Sequence, residues 1–259
     1  MLGKNIKEED KVENKFCIIY DFDGTLTDSV FPIYEILNTI NLNSVDVIKK
    51  YEYLVDDIKG KVNAFMYGYI KVLEDSRIEP TKDNICLGAE RLKYSKGVKE
   101  YFDNINNDAK ESNVIIEHFV ITSGMKEFIE KTTIAKNFKK VYGSSYYYEN
   151  GKIKWPREVI ESKNKVEKIF DINKKRGVKK KDCTNVIYIG DGITDYDSMK
   201  FVKENGGISI CVYDDDLSVI NKLKDDLVIT SGFKRDYTKG SSLYEYIKNQ
   251  IINSKVGEK

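Results

Sequence analysis

With 259 residues, 41% of them hydrophobic and only three prolines, the chain is long enough for one large α/β core with a smaller insertion, which excludes global disorder. Lys and Arg number 43 against 42 Asp and Glu, a formal charge of +1, so no overall field recruits nucleic acid or an anionic membrane. No apolar segment approaches the roughly 20 residues that span a bilayer, and Met1 to Lys15 is too polar for a signal peptide, so the expected location is the cytoplasm.

The first element is the apolar run Phe16-Cys17-Ile18-Ile19-Tyr20, which breaks abruptly into Asp21-Phe22-Asp23-Gly24-Thr25-Leu26-Thr27-Asp28. Such a run reads as a strand buried on both faces, the centre of a parallel sheet. Ligands of open α/β sheets bind beyond the carboxyl ends of these strands, and Asp21 and Asp23 share one side because Phe22 alternates between them. Two carboxylates in one crevice repel unless a cation joins them. Pro32 then suits the first turn of a helix carrying Ile33, Ile36, Leu37 and Ile40. Val45, Ile48, Tyr51 and Val55 repeat the helical spacing, and Val62, Phe65, Met66, Tyr69, Ile70 and Leu73 form the clearest amphipathic helix. No strand pattern interrupts residues 29–95, too long a stretch for a loop, so an all-helical insertion is expected there, with 1–28 and 96–259 forming the core.

Ser95 is placed to cap a helix carrying Val98, Tyr101, Phe102 and Ile105. A second buried strand, Ile115 to Ile121, breaks into Thr122-Ser123-Gly124. Tyr146 to Trp155 reads as a hairpin turning at Asn150-Gly151, a β-flap beside the sheet whose tyrosines pack rather than bind. Val166, Ile169, Phe170 and Asn173 mark the buried side of a helix stopping near Gly177. A third strand, Asn185 to Ile189, breaks into Gly190-Asp191-Gly192-Ile193-Thr194-Asp195. Ile208 to Val212 and Leu227 to Ile229 read as further strands, Asp214-Asp215-Asp216 as a solvated loop, and Leu243 to Ile252 as a closing helix. The pattern predicts an α/β fold, a doubly wound parallel sheet flanked by helices, with tails at Met1–Lys15 and Ser254–Lys259 solvated or frayed.

Cys17, Cys86, Cys183 and Cys211 are scattered, with no Cys-x-x-Cys pair, and His118 is the one histidine. Free thiols and a structural histidine are expected, not a zinc cluster, a disulfide framework or a Ser-His-Asp triad.

Three strands thus deliver polar groups to one edge of a sheet. Asp21-x-Asp23-Gly24-Thr25, the strand-end Thr122, a lysine opening the Val166 helix, and Gly190-Asp191-Gly192-x-x-Asp195 resemble, in order, the motifs of the haloacid dehalogenase (HAD) superfamily, in its helical-capped, phosphoserine-phosphatase-like branch. The resemblance implies a HAD-like Rossmannoid core, with the helical insertion as a cap over the active site. It implies that Asp21 attacks phosphorus to form an aspartyl-phosphate, while Asp23 protonates the leaving alkoxide and then activates water. Mg²⁺ would be held by Asp21, the Asp23 backbone carbonyl and Asp191, with Asp195 orienting the lysine or a metal-bound water. Gly24, Thr122 and the Ser123 and Gly124 amides would bind the substrate, the last three holding phosphate oxygens. Lys165, immediately before the periodic helix, is the first choice for the lysine and Lys163 the alternative.

The expected substrate is a small phosphorylated metabolite, with no nucleic-acid or membrane partner; oligomeric state is not legible. A dehalogenase and a catalytically silent phosphate- or metabolite-binding regulator are the rival readings. Where the resembling phosphoserine phosphatases place an acid for the substrate amine, this chain has Val30, with Asp28 the nearby carboxylate and Arg77 the sole arginine before Arg91. Free phosphoserine is therefore expected to be a poor substrate.

Overall fold

The computed structural model describes residues 14–54 and 60–253. Seven strands form one sheet: β1 (Asn14–Tyr20), β2 (Val114–Met125), β3 (Lys140–Glu149), β4 (Lys152–Glu158), β5 (Val186–Gly190), β6 (Ile208–Tyr213) and β7 (Ser231–Lys234). Their order is β4-β3-β2-β1-β5-β6-β7, parallel throughout except for the β3–β4 hairpin, whose outer strand carries Pro156. From β1 the chain builds outward on one side through β2 and β3, then returns to build the other side from β5. The switch point lies between β1 and β5, where such sheets open a crevice beyond the strand ends.

The helices are α1 (Glu35–Asn38), α2 (Ser44–Tyr51), α3 (Lys61–Asp75), α4 (Lys82–Ile85), α5 (Val98–Glu111), α6 (Lys126–Ile129), α7 (Ser162–Lys175), α8 (Tyr196–Glu204), α9 (Ser218–Asp225) and α10 (Ser242–Ile252). Alternation along β1 decides which of them it meets. Phe16, Ile18 and Tyr20 pack with Val98, Tyr101, Phe102 and Ile105 of α5 and with Leu243, Ile247 and Ile251 of α10. Cys17 and Ile19 point the other way, into a core with Ile169 and Ile172 of α7, Met199 of α8 and Leu223 of α9. A third cluster joins Tyr34, Phe65, Met66, Tyr69 and Leu73 of the insertion to Met125, Phe128, Tyr146 and Ile153. Among the described residues, 29–95 contain helical elements and no strand. Among the described residues no helix is long and apolar enough to cross a membrane.

Several expectations are corrected. The helix expected from Pro32 is the single turn α1, because Ser29 Oγ accepts from Phe31 N and donates to Phe31 O, a local turn that competes with helix. Ser95 does not cap α5: its hydroxyl donates to Thr25 O at 3.3 Å, and the helix starts after Gly97 with no side-chain cap. The hairpin is no separate flap, since β3 first pairs parallel with β2 and only then antiparallel with β4. Leu227–Ile229 is not a strand; Leu227 has φ +55 and Val228 N donates to Leu223 O, closing α9, so the strand begins at Ser231. On α7 the buried face is Lys165, Ile169, Ile172 and Asn173, while Phe170 is half-buried against Phe201. Asn14 and Lys15 belong to β1 rather than to a tail; Val55 and the tails 1–13 and 254–259 lie outside the described residues.

Candidate active site

The register brings the motifs level. Tyr20 pairs with Val120 of β2 and Ile189 of β5, so the residues that follow emerge together above the sheet. Asp21 N donates to Ile189 O at 2.8 Å, fixing Asp21 at the switch point. The chain then turns tightly: Leu26 N donates to Phe22 O, and Gly24 N to Ser29 O and to Thr27 Oγ1. Gly24 has φ +70, and a Cβ there would lie 2.1 Å from Asp191 Oδ2. A Cβ on Gly190 would likewise lie 2.3 Å from Asp195 Oδ2. Both glycines are required because carboxylates occupy the space a side chain would take.

Asp21, Asp191 and Asp195 each present a carboxylate oxygen to one locus, all within 4.8 Å of one another. Lys165 enters from the first turn of α7, 1% exposed, and its ammonium donates to Asp21 Oδ1 at 3.1 Å and Asp195 Oδ1 at 2.7 Å. Tyr188 OH, from β5, donates to the same Asp195 oxygen at 2.6 Å, while Asp195 Oδ2 is buried without a partner. Lys163, the alternative lysine, is exposed.

The charges do not balance. Burial and the Asp195 charge push Asp21 up to about 6 against the pull of Lys165. Burial, with Asp21 and Asp195, pushes Asp191 up to about 8. Asp23 is raised well above the ordinary carboxylate value by burial, Asp21 and Asp191. Burial disfavours the Lys165 ammonium, but Asp195 and Asp21 more than offset it and raise its pKa. One buried ammonium faces four carboxylates, so the site calls for further positive charge.

Asp23 stands apart from the trio: its Oδ2 lies 2.8 Å from where a Gly124 Cβ would sit, toward the end of β2. There the strand carries a register shift between Ile121 and Met125, and Thr122 is buried at the irregularity. Thr122 Oγ1 accepts from Gly124 N at 3.0 Å, so that amide, expected to face a phosphate, is engaged by the threonine. The Thr122 hydroxyl hydrogen stays free to donate elsewhere. Ser123 is half-buried beside it.

Sequence reasoning missed three residues. Tyr188 supports Asp195, and a buried tyrosine in an apolar strand, which must find a partner, was the available signal. Arg235 donates to Gly24 O at 2.5 Å and Asp28 O at 3.3 Å and pairs with Asp214, stapling the first turn from beyond β7. No local pattern marks it, and Asp214 is accordingly not simply solvated. Tyr34, from the insertion, reaches over the end of β2, its hydroxyl accepting from Met125 N at 3.0 Å. His118 lies buried between Tyr20 OH and Asn106 Oδ1, both at 2.9 Å, and burial lowers its pKa to about 3, as suits a structural histidine. The four cysteines are free.

The donor set suits a hard divalent cation. Three carboxylates converge, one buried oxygen lacks a donor, and thiols and imidazole are absent from the cluster.

A parallel sheet with an acidic cluster at its switch point and a helical insertion after the first strand is the architecture of HAD-type hydrolases. The chain has that fold. A HAD family hydrolase from Salmonella enterica serovar Typhi superposes with a TM-score of 0.62 at 14% identity, covering 93% of this chain and 72% of that one. A probable phosphoserine phosphatase from Vibrio cholerae gives 0.63 at 12% identity over 95% and 68%. A phosphoserine phosphatase captured as a phospho-aspartyl intermediate analogue gives 0.56 at 18% over 91% and 98%. In sequence, an uncharacterized protein of Borreliella burgdorferi is 24% identical over 282 aligned positions, 93% of this chain and 98% of its own. No protein-family model matches the chain.

Proposed function

We propose that the protein is a Mg²⁺-dependent phosphomonoester phosphatase acting through an aspartyl-phosphate at Asp21. The observation that carries this reading is the division of labour among four acids: Lys165 bridges Asp21 and Asp195 beside Asp191, while Asp23 is turned toward Gly124. Asp21, with Asp191 and Asp195, would hold the cation, which supplies positive charge to the transferring phosphoryl oxygens. The Asp21 oxygen not held by Lys165 attacks phosphorus, and the bond to the leaving oxygen breaks. Asp23, whose pKa burial and the Asp21 and Asp191 charges raise, is the acid that delivers a proton to that oxygen. It then takes a proton from water, which attacks the phosphoryl group, releasing phosphate and restoring Asp21. Lys165 stabilises charge on the nucleophile and the phosphoryl oxygens, and the Thr122 hydroxyl is available to donate to them. We place the enzyme in the cytoplasm, acting on a small metabolite rather than a nucleic acid or a membrane, in keeping with the near-neutral charge.

Asp21→Asn tests it. The variant should lose turnover by a factor on the order of 10³ or more while keeping its far-ultraviolet spectrum, and phosphate trapped on the wild type should map to Asp21. Wild-type rates in a folded variant would remove covalent catalysis at this position.

A further inference from the structure

The proton donor of a phosphatase must face the leaving group, so the walls around Asp23 describe what the substrate carries there. A cavity of about 10 Å³ adjoins Asp23, walled by Pro32, Ile33, Tyr34, Leu92, Phe128 and Ile129. It has room for a single water. Among the described residues lining it, Asp23 is the sole carboxylate and no basic side chain appears. The Tyr34 hydroxyl is engaged by Met125 N. Charged residues close in sequence to its walls are engaged with other partners: Arg91 pairs with Glu35 at 2.6 Å, Lys126 with Glu130 at 3.3 Å, and Glu127 Oε1 accepts from Tyr146 N at 3.0 Å. Arg77 is exposed in a left-handed turn after α3.

The chain that roofs this cavity is apolar yet bared to solvent: Val30 is 61% exposed, Phe31 46% and Ile33 43%. Val30 Cα crosses over Gly24, 3.1 Å from where its Cβ would sit and beside Asp191. A leaving group enters only if this segment moves outward, and the surface it then meets is Ile33, Leu92 and Phe128, with the exposed Phe31 two residues before Ile33 in the same segment. We infer, on the phosphatase reading above, that the substrate is a phosphomonoester of an uncharged, apolar alcohol or phenol, with Phe31 and Ile33 closing over the leaving group. A carboxylate placed against these walls would lose its hydration with no basic side chain among them to replace it, and an ammonium would meet only the Asp23 carboxyl that the leaving group needs as its acid.

The test is kcat/KM with Mg²⁺ along ethyl, butyl and hexyl phosphate, beside phosphoserine, glycerol phosphate and the small reference substrate acetyl phosphate. Calorimetric affinity for butylphosphonate and for the phosphonate analogue of phosphoserine gives a readout without turnover. Expected is a rise of about fourfold per buried methylene, with phosphoserine about 100-fold or more below hexyl phosphate, and a flattened slope in Phe31→Ala and Ile33→Ser. A flat wild-type series, a slope untouched by both variants, or a lead for phosphoserine or glycerol phosphate overturns the inference and leaves the phosphatase reading standing. Absence of hydrolysis of every ester and of acetyl phosphate, with neither phosphonate bound, overturns both.

Discussion

Asp191 shows how much of this site is electrostatic. Its pKa, pushed up to about 8 by burial and by Asp21 and Asp195, records a carboxylate held where its charge is unwelcome until a cation arrives. Binding of Mg²⁺ to the folded chain should therefore raise Tm. At 100 times Kd the linkage gives about 2.7 kcal/mol, or roughly 5–10 °C for a chain of this size. Asp191→Ala should abolish most of that increment in a thermal melt, and an increment equal to the wild type's would exclude Asp191 from the metal site. Asp21, Asp23 and Asp191 were legible because each follows a buried strand run at an abrupt polar break. Lys165 was singled out only by its place before an apolar period. Arg235, Tyr188 and Tyr34 act through contacts between distant segments, Arg235 on Gly24 foremost, and nothing in their own neighbourhoods announces this.

Among the elements, α5 and α10 are joined by one carboxylate. Asp108 on α5 accepts from Lys239 at 2.8 Å and from Tyr244 and Lys248 of α10 at 2.8 and 3.1 Å. Burial alone would raise its pKa, but these three partners together lower it to about 2. A folded pKa below the unfolded one contributes stability above the ordinary carboxylate range, and that contribution is lost as pH falls toward 2. Asp108→Asn should cost about 1–2 kcal/mol in urea unfolding at pH 7, discounted for the exposed lysines, with the deficit shrinking between pH 4 and pH 2. A deficit constant across that range would mean the carboxylate charge plays no part. β1, β5 and β6 were readable from their apolar runs. β7 was not: its four residues, Ser231–Lys234, are too few and too polar to show a pattern, and Leu227–Ile229 mimicked one. The start of β3 was hidden similarly by Lys140, Gly143 and Ser144.

At the scale of the molecule, the helical insertion meets the core through a shared apolar cluster and a set of hydrogen bonds. Tyr146 OH, from β3, donates to Met66 O in α3 at 3.0 Å, Ile153 N of β4 donates to Pro80 O at 2.7 Å, and Cys86 Sγ donates to Glu127 O at 3.3 Å. Tyr146→Phe removes one of them at a cost of about 1 kcal/mol. Hydrogen exchange should then quicken at α3 amides while β1 amides keep their protection, and an equal change at both would mean that insertion and core open as one unit. The sequence reading placed helices over 29–95 but not these ties, since docking depends on β3 and β4 reaching under α3, which no local periodicity encodes.

The outer position of β4 bears on how the protein behaves at high concentration. An unpaired strand edge is a template for self-association. With a formal charge of +1 and a sequence pI near 7.5, long-range repulsion at neutral pH does little to keep copies apart. The border itself supplies the deterrent: Ile153 N already donates to Pro80 O, Lys152 and Lys154 are paired with Glu79 and Glu149, and Pro156 has no N–H to offer an incoming strand.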